Sequence, residues 1–315
     1  MNFRSVADLS ATIARHIHDI PSNIELVVGV PRSGLVPASL IALARNLPLV
    51  DLDGYINGRA FAAGITRHTR GLSGDARQLS HVLVVDDSIL SGRTIAQVKA
   101  RLQEHGLSEK AKLLAVYGTR SSRGCVDIQL ETVAAPRVFE WNLFHHPLLA
   151  EACVDIDGVL CRDPTDSEND DGDRYRDFLE NAPCRYRPAH HIGTLVSNRL
   201  EKYRAPTESW LKRNGITYDE LVMLDLPAPA ERQKIVHYGK FKGEVFRSRL
   251  RSLFIESSDQ QAHEVAFFSG KPCISVETMR MIRPDGLTLA QLAVARHRLS
   301  TRIKRRLFRM LRAKA

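Results

Sequence analysis

Residues 81–94, His-Val-Leu-Val-Val-Asp-Asp-Ser-Ile-Leu-Ser-Gly-Arg-Thr, constrain this chain more than any other stretch. A β-rich run at 81–85 delivers two adjacent carboxylates, Asp86 and Asp87. A turn of small hydroxyl residues and a glycine then enters a helical pattern at 95–102. A strand that passes through a glycine turn into a helix belongs to an α/β layer, whose strands run parallel under helices on both faces. Ligands of such sheets bind at the carboxyl ends of the strands, which is where the two acids fall. The residue types suit a sugar phosphate. Paired carboxylates accept hydrogen bonds from vicinal hydroxyls, and backbone N–H groups at a helix start hold a phosphate.

The strand–turn–helix pattern recurs along the chain. Strand-length runs fall at 25–30, 113–117, 152–157, 191–197 and 253–256. Helical patterns cover 202–214, closed by Gly215, and a stretch from about 260. The 315 residues suffice for two domains, at roughly 100–200 residues each. The division is placed at 148, after His145-His146-Pro147, giving segments 1–148, 149–281 and 282–315. The stretch 54–80 has little periodicity and reads as a long loop over a site, whereas 161–188 reads as acidic and irregular. The five cysteines form no CxxC pair and are odd in number, which argues against a disulfide framework or a zinc ribbon and for a reducing compartment. The apolar stretch 34–50 is broken by Pro37, Arg45 and Pro48, and no signal-peptide pattern opens the chain, so a cytoplasmic location is expected.

The net charge of +9 is unevenly placed. Residues 280–315 hold eleven Lys and Arg against the single acid Asp285, while the remainder balances 34 basic residues with 35 acidic ones. In this tail Leu292, Leu299, Ile303, Leu307, Met310 and Leu311 recur at near-helical spacing, with Arg302, Lys304, Arg305, Arg309 and Arg312 between them. A basic amphipathic helix of this kind suits an anionic membrane surface, with nucleic acid or a packing partner as alternatives.

Three further segments carry chemistry. Val28-Gly-Val-Pro-Arg32-Ser33-Gly34 follows the first strand and precedes a helix. Cys153-Val-Asp155-Ile-Asp157-Gly158 places two carboxylates two residues apart after a strand, where alternation would point both the same way. One such carboxylate can attack phosphorus while the other protonates the leaving oxygen, although a bare DxDG also fits a Ca²⁺ loop. Downstream, Ser197-Asn198 ends a strand, Lys242 (or Lys240) follows, and the run from Phe254 ends in Glu256 and Asp259.

The segment around Asp86–Asp87 resembles the phosphoribosyl diphosphate (PRPP) motif of type I phosphoribosyltransferases. That resemblance implies that Asp86 and Asp87 face the ribose hydroxyls, while Ser88, Ser91, Gly92, Arg93 and Thr94 wrap the 5-phosphate. Arg32, Ser33 and Gly34 would lie in the loop that grips the diphosphate. Residues 150–280 resemble the haloacid dehalogenase (HAD) superfamily of phosphohydrolases. This second resemblance makes Asp155 the nucleophile and Asp157 the general acid and base. Ser197 and Lys242 would bind phosphoryl oxygens, and Asp155, Asp157, Glu256 and Asp259 would hold Mg²⁺. Glu256 stands where the family more often has Asp.

The expected architecture is therefore two Rossmann-like parallel-sheet domains, a phosphoribosyltransferase fold and then a HAD-like fold, followed by a basic amphipathic helix. In the 54–80 loop, Arg59, Arg67, His68 and Arg70 are candidates to close over PRPP. Trp141 reads as an interdomain packing residue, with stacking on an acceptor as the other option. The pairing of activities resembles enzymes that install ribofuranose in bacterial surface polysaccharides. It implies transfer of ribose 5-phosphate from PRPP to a lipid-linked glycan at the inner face of the cytoplasmic membrane, then removal of the 5-phosphate. The alternatives are a nucleobase phosphoribosyltransferase with a nucleotide phosphatase, and a PRPP-sensing regulator that binds nucleic acid.

Overall fold

The computed structural model describes residues 1–59, 75–226 and 238–285. Three of the loop candidates, Arg67, His68 and Arg70, and the tail from residue 286 lie outside the described residues. The chain divides into two compact units, the first Met1–Trp141 and the second from Asn142 onward.

The first unit opens with β1 (Asn2–Arg4) and α1 (Val6–His16). Ser5 caps that helix: its hydroxyl accepts from the Asp8 N–H while the Asp8 carboxylate accepts from the Ser5 N–H. There follow β2 (Leu26–Gly29), α2 (Leu35–Arg45), β3 (Leu49–Asp51), α3 (Leu52–Ile56), β4 (Val82–Ser88), α4 (Arg93–Glu104), β5 (Ala111–Gly118), β6 (Ile128–Thr132) and β7 (Arg137–Phe139). Five strands form one parallel sheet in the order β3-β2-β4-β5-β6, and β7 pairs with β1 separately. Alternation along β4 divides the core. Val82 and Val84 face Ile95, Val98 and Leu102 of α4, whereas Leu83 and Val85 face Leu9 and Ile13 of α1 and Ile41 of α2. Both faces are apolar, so the strand cannot slip by one residue without changing which helix each side chain meets.

β4 does not end at 85: its ladder with β5 continues through Asp86, paired with Ala115, to Ser88, paired with Tyr117. The neighbour's pairing, invisible in a single run of residues, extends it. The stretch 54–80 is also not loop throughout, since α3 covers its start and Ala76–Gln78 form a 3₁₀ turn.

The second unit comprises β8 (Ala152–Val154), α5 (Asp173–Asn181), β9 (Ile192–Leu200), α6 (Arg204–Arg213), β10 (Tyr218–Leu224), α7 (Tyr238–Ser248), β11 (Leu253–Glu256), α8 (Asp259–Ser269), β12 (Cys273–Ser275) and β13 (Arg280–Ile282). The sheet order is β10-β9-β8-β11-β12-β13, parallel except for the β12–β13 pair. Cys153, Val196, Phe246, Phe254, Val265 and Cys273 pack together around its middle. Residues 161–188 are not irregular throughout: α5 buries Tyr175, Phe178 and Leu179, and Trp210 of α6 donates its indole N–H to the Ala182 carbonyl at 2.7 Å. β8 stops at Val154, so Asp155 and Asp157 lie beyond the strand and alternation does not orient them. Cys153, Cys161 and Cys273 are buried, and Cys125 and Cys184 half-buried. Burial pushes the Cys153 thiol up to about 12.

Gly34 is where β2's turn meets β4. A Cβ there would stand 2.6 Å from the Val30 carbonyl oxygen and 2.7 Å from that of Val85, both backbone atoms that cannot swing aside. Gly34→Ala is therefore expected to destabilise the chain by about 1–3 kcal/mol, read as a lowered thermal midpoint. An unchanged midpoint would show that the two strand ends are not in close contact.

Candidate active sites

In the first unit the turn after β2 lies against the end of β4, at the point where the strand order reverses. The Val30 N–H donates to the Val85 carbonyl at 2.9 Å, and the turn continues through a cis Pro31–Arg32 peptide to Gly34. Asp86 and Asp87 are both only 6% exposed. The Ser33 hydroxyl donates to Asp87 Oδ1 at 2.8 Å, and the Trp141 indole N–H donates to Asp87 Oδ2, also at 2.8 Å. Asp86 Oδ1 accepts from the Asp87 N–H at 2.9 Å. Burial and the neighbouring Asp87 charge push the Asp86 carboxyl up to about 8.

Beyond β4, the buried Ile89 anchors the turn, with its N–H on the Tyr117 carbonyl at 2.8 Å. Arg137, buried between strand and turn, donates to the Ile89 and Val133 carbonyls. Gly92 adopts a φ of 76° at the start of α4, and a Cβ there would meet the Cys125 sulfur at 2.9 Å. Ser91, Arg93 and Thr94 are exposed at this helix start, Ser88 is half-buried, and Arg32 is exposed on the facing turn. The structure thus brings together the predicted Arg32–Gly34 and Asp86–Thr94 residues. Sequence reasoning missed Arg137, and it gave Trp141 a packing role although the indole touches Asp87.

In the second unit, Asp155, at the end of β8, Lys242 from α7 and Glu256 at the end of β11 form one buried cluster. Lys242 Nζ donates to Asp155 Oδ2 at 2.8 Å, to Glu256 Oε2 at 2.8 Å and to Gln261 Oε1 at 3.1 Å. Asp155 Oδ1 accepts from the Ile156 N–H at 2.8 Å. Burial, reinforced by the Glu256 charge, drives the Asp155 carboxyl well above the usual range despite Lys242. Burial works against the Lys242 charge, but Asp155 and Glu256 outweigh it and hold the ammonium protonated.

Asp157 meets a different cation. Arg199 of β9, itself only 1% exposed, donates through Nε to Oδ2 at 3.0 Å and through a terminal nitrogen to Oδ1 at 2.6 Å. Burial would raise this carboxyl, yet the Arg199 charge and hydrogen bonds win, and the net shift is downward. Arg199 was not foreseen; it stands two residues beyond Ser197, where the register of β9 against β10 is irregular. Asp155, Asp157 and Lys242 line a cavity of about 340 Å³ together with Asp163, Asn169, Tyr175 and Asn198. Ser197 and Asp259 do not line it. The Ser197 hydroxyl accepts from the Arg199 N–H at 3.2 Å, and Asp259 accepts from the Thr278 hydroxyl at 2.7 Å. Lys240 is exposed and pairs with Glu244, so Lys242 is the buried lysine of the pair.

Among the described residues no group of three His, Cys, Asp or Glu is placed to hold a metal ion. Buried Asp155 and half-buried Asp157 line the cavity, whereas Glu256 accepts from Lys242 and from the Ser257 and Ser258 N–H groups and does not line it.

The raised Asp86 carboxyl has a measurable consequence. Between its ordinary value of 3.8 and about 8 the folded chain binds more protons than the unfolded one, so stability falls as pH rises through that window. Asp86→Asn keeps the oxygen that accepts from the Asp87 N–H. Its thermal midpoint is expected to exceed that of the parent by ~3–6 °C at pH 8, with the gain vanishing toward pH 4. A gain independent of pH would sink this assignment.

Residues 2–149 match the phosphoribosyl transferase domain family. No curated protein sequence matches the chain. Among solved structures, the chain is similar to a purine phosphoribosyltransferase from Pyrococcus horikoshii, with 18% identity, a TM-score of 0.31, and coverage of 45% of this chain and 94% of that one. It is similar to a Helicobacter pylori xanthine-guanine-hypoxanthine phosphoribosyltransferase, with 19% identity, a TM-score of 0.34, and coverage of 45% and 92%. A Pnkp1/Rnl/Hen1 complex chain matches at 15% identity and a TM-score of 0.30, over 80% of this chain and 96% of that one. With the family match spanning the β2 turn, the Asp86–Asp87 strand end and the helix start that follows it, residues 2–149 are a phosphoribosyl transferase domain.

Proposed function

We propose that the chain is a bifunctional enzyme that transfers ribose 5-phosphate from PRPP to a glycan acceptor and then removes the 5-phosphate, leaving a ribofuranosyl residue. The observation that carries this reading is the second catalytic-type cluster. A chain with a phosphoribosyl transferase domain also gathers Asp155, Asp157 and Lys242 in one cavity, with Glu256 behind Lys242.

In the transferase site Asp86 and Asp87 receive the ribose hydroxyls, and the Ser88–Thr94 turn holds the 5-phosphate on its backbone N–H groups. Arg32 faces the diphosphate. The C1–O bond to diphosphate breaks, the acceptor hydroxyl bonds to C1 from the opposite face, and its proton passes to the departing diphosphate. Positioning and charge stabilisation dominate, because the departing group leaves an oxocarbenium-like sugar.

In the second site an Asp155 oxygen attacks phosphorus and the P–O5 bond breaks, and the proton that burial keeps on the Asp155 carboxyl passes through Asp157 to the leaving oxygen. Water then gives its proton to Asp157 and releases phosphate from Asp155. Lys242 holds Asp155 in place and neutralises the phosphoryl oxygens. Asp155 and Asp157, the acids that line the cavity, would hold Mg²⁺, which would neutralise phosphoryl charge when bound, whereas Glu256 is engaged with Lys242, Ser257 and Ser258. Asp259 is set aside as a ligand because it is engaged with Thr278. The basic, amphipathic sequence of 282–315 supports an acceptor carried on lipid at an anionic surface. No described helix is long and apolar enough to cross a membrane.

Incubated with PRPP, Mg²⁺ and a lipid-linked glycan fraction, Asp155→Asn is expected to accumulate acceptor bearing ribose 5-phosphate, seen by mass spectrometry. Hydrolysis of a simple phosphate ester should fall by ~10³-fold or more. Unphosphorylated product from this variant would refute the sequence of steps, and transfer to free nucleobases alone would replace the glycan acceptor. The pair Asp86→Asn and Asp87→Asn should end PRPP consumption and leave phosphate-ester hydrolysis intact.

A further inference from the structure

Asp87 is held on both oxygens before any ligand arrives, by Ser33 on one and Trp141 on the other. The indole is itself fixed. Tyr117, Phe139 and Trp141 form a run of stacked rings, with Phe139 and Trp141 centroids 4.9 Å apart and their planes nearly parallel at 7°. Tyr117 and Phe139 are buried, Tyr117 sits on β5 beside the end of β4, and Phe139 ends β7. The one polar atom of the indole is thus aimed at a carboxylate by a rigid apolar stack.

We infer that Trp141 is a positioning residue of the PRPP site, which orients the Asp87 carboxylate so that its remaining lone pairs face the ribose hydroxyls. This rests on the reading of Asp86–Asp87 as the ribose-binding pair. A carboxylate offers about four acceptor positions; two are taken by Ser33 and Trp141, and the others stay in place for a diol. Without these donors the side chain can rotate, and the ribose must select the productive orientation itself, which lowers affinity. Ser33 belongs to the turn that carries Arg32, so it links the diphosphate side of the site to Asp87. Trp141 has no such link, and its effect falls on the sugar alone.

The test uses the full chain and calorimetric titration with three probes: PRPP with Mg²⁺, ribose 5-phosphate, and inorganic diphosphate with Mg²⁺. Trp141→Phe keeps the ring stack and removes only the N–H donor. It is expected to weaken PRPP and ribose 5-phosphate by about 10-fold, the usual scale for a hydrogen bond to a charged group, and to leave diphosphate within about twofold. In turnover, KM for PRPP should rise with kcat little changed. Ser33→Ala is expected to weaken all three probes. The tryptophan fluorescence change of the parent on adding PRPP should be absent in Trp141→Phe, since Trp210 is buried in the other unit. Unaltered ribose 5-phosphate affinity in Trp141→Phe, or an equal fall for all three probes, overturns the positioning role. Failure of the parent chain to bind PRPP overturns the underlying reading instead.

Discussion

A carboxylate at the end of a buried parallel strand is unfavourable unless something nearby answers its charge, and the two units answer it differently. In the second unit the answer is cationic. Lys242 spans Asp155 and Glu256, and Arg199 clamps Asp157; Arg199 carries Asp157 below the usual carboxylate range, whereas burial still leaves Asp155 above it. In the first unit no described lysine or arginine forms an ion pair with Asp86 or Asp87. Neutral donors hold Asp87, and Asp86 tends to keep its proton. The two solutions suit different chemistry. Carboxylates set against cations suit the proposed attack on phosphorus, whereas a hydrogen-bonded acid pair suits the proposed reading of a diol.

Much of the fold is legible in the sequence where strands are long and apolar on both faces. The runs preceding Val30, Asp86 and Glu256 emerge from composition alone, because parallel strands buried on both sides need continuous Val, Leu and Ile. Short strands such as β3, β7 and β12 do not emerge. Three residues carry too little pattern, and their pairing depends on neighbours far along the chain. The helix α5 is masked by its charge: Asp173, Arg174, Arg176, Asp177 and Glu180 surround only three buried side chains.

The sites follow the same division. Motifs contiguous in sequence, such as Arg32–Gly34 and Asp86–Thr94, are found together in the folded chain. Partners supplied by remote elements are harder to see. Arg199 lies in a stretch of β9 whose register against β10 is irregular, so alternation does not reach it, and nothing local links Trp141 to Asp87; the two meet because β7 returns to lie near β5. Asp259 illustrates the converse. It stands close in sequence to Glu256, but the start of α8 turns it toward Thr278.

The distribution of sulfur gives each unit its own chemical handle. Three thiols are sealed in the interior of the second unit, leaving Cys184 there and Cys125 in the first unit within reach of solvent. Cys125 presses on the underside of the glycine turn at the start of α4. A maleimide fluorophore or spin label attached there would sit directly beneath the turn proposed to hold the 5-phosphate, and would report its occupancy without any engineered residue.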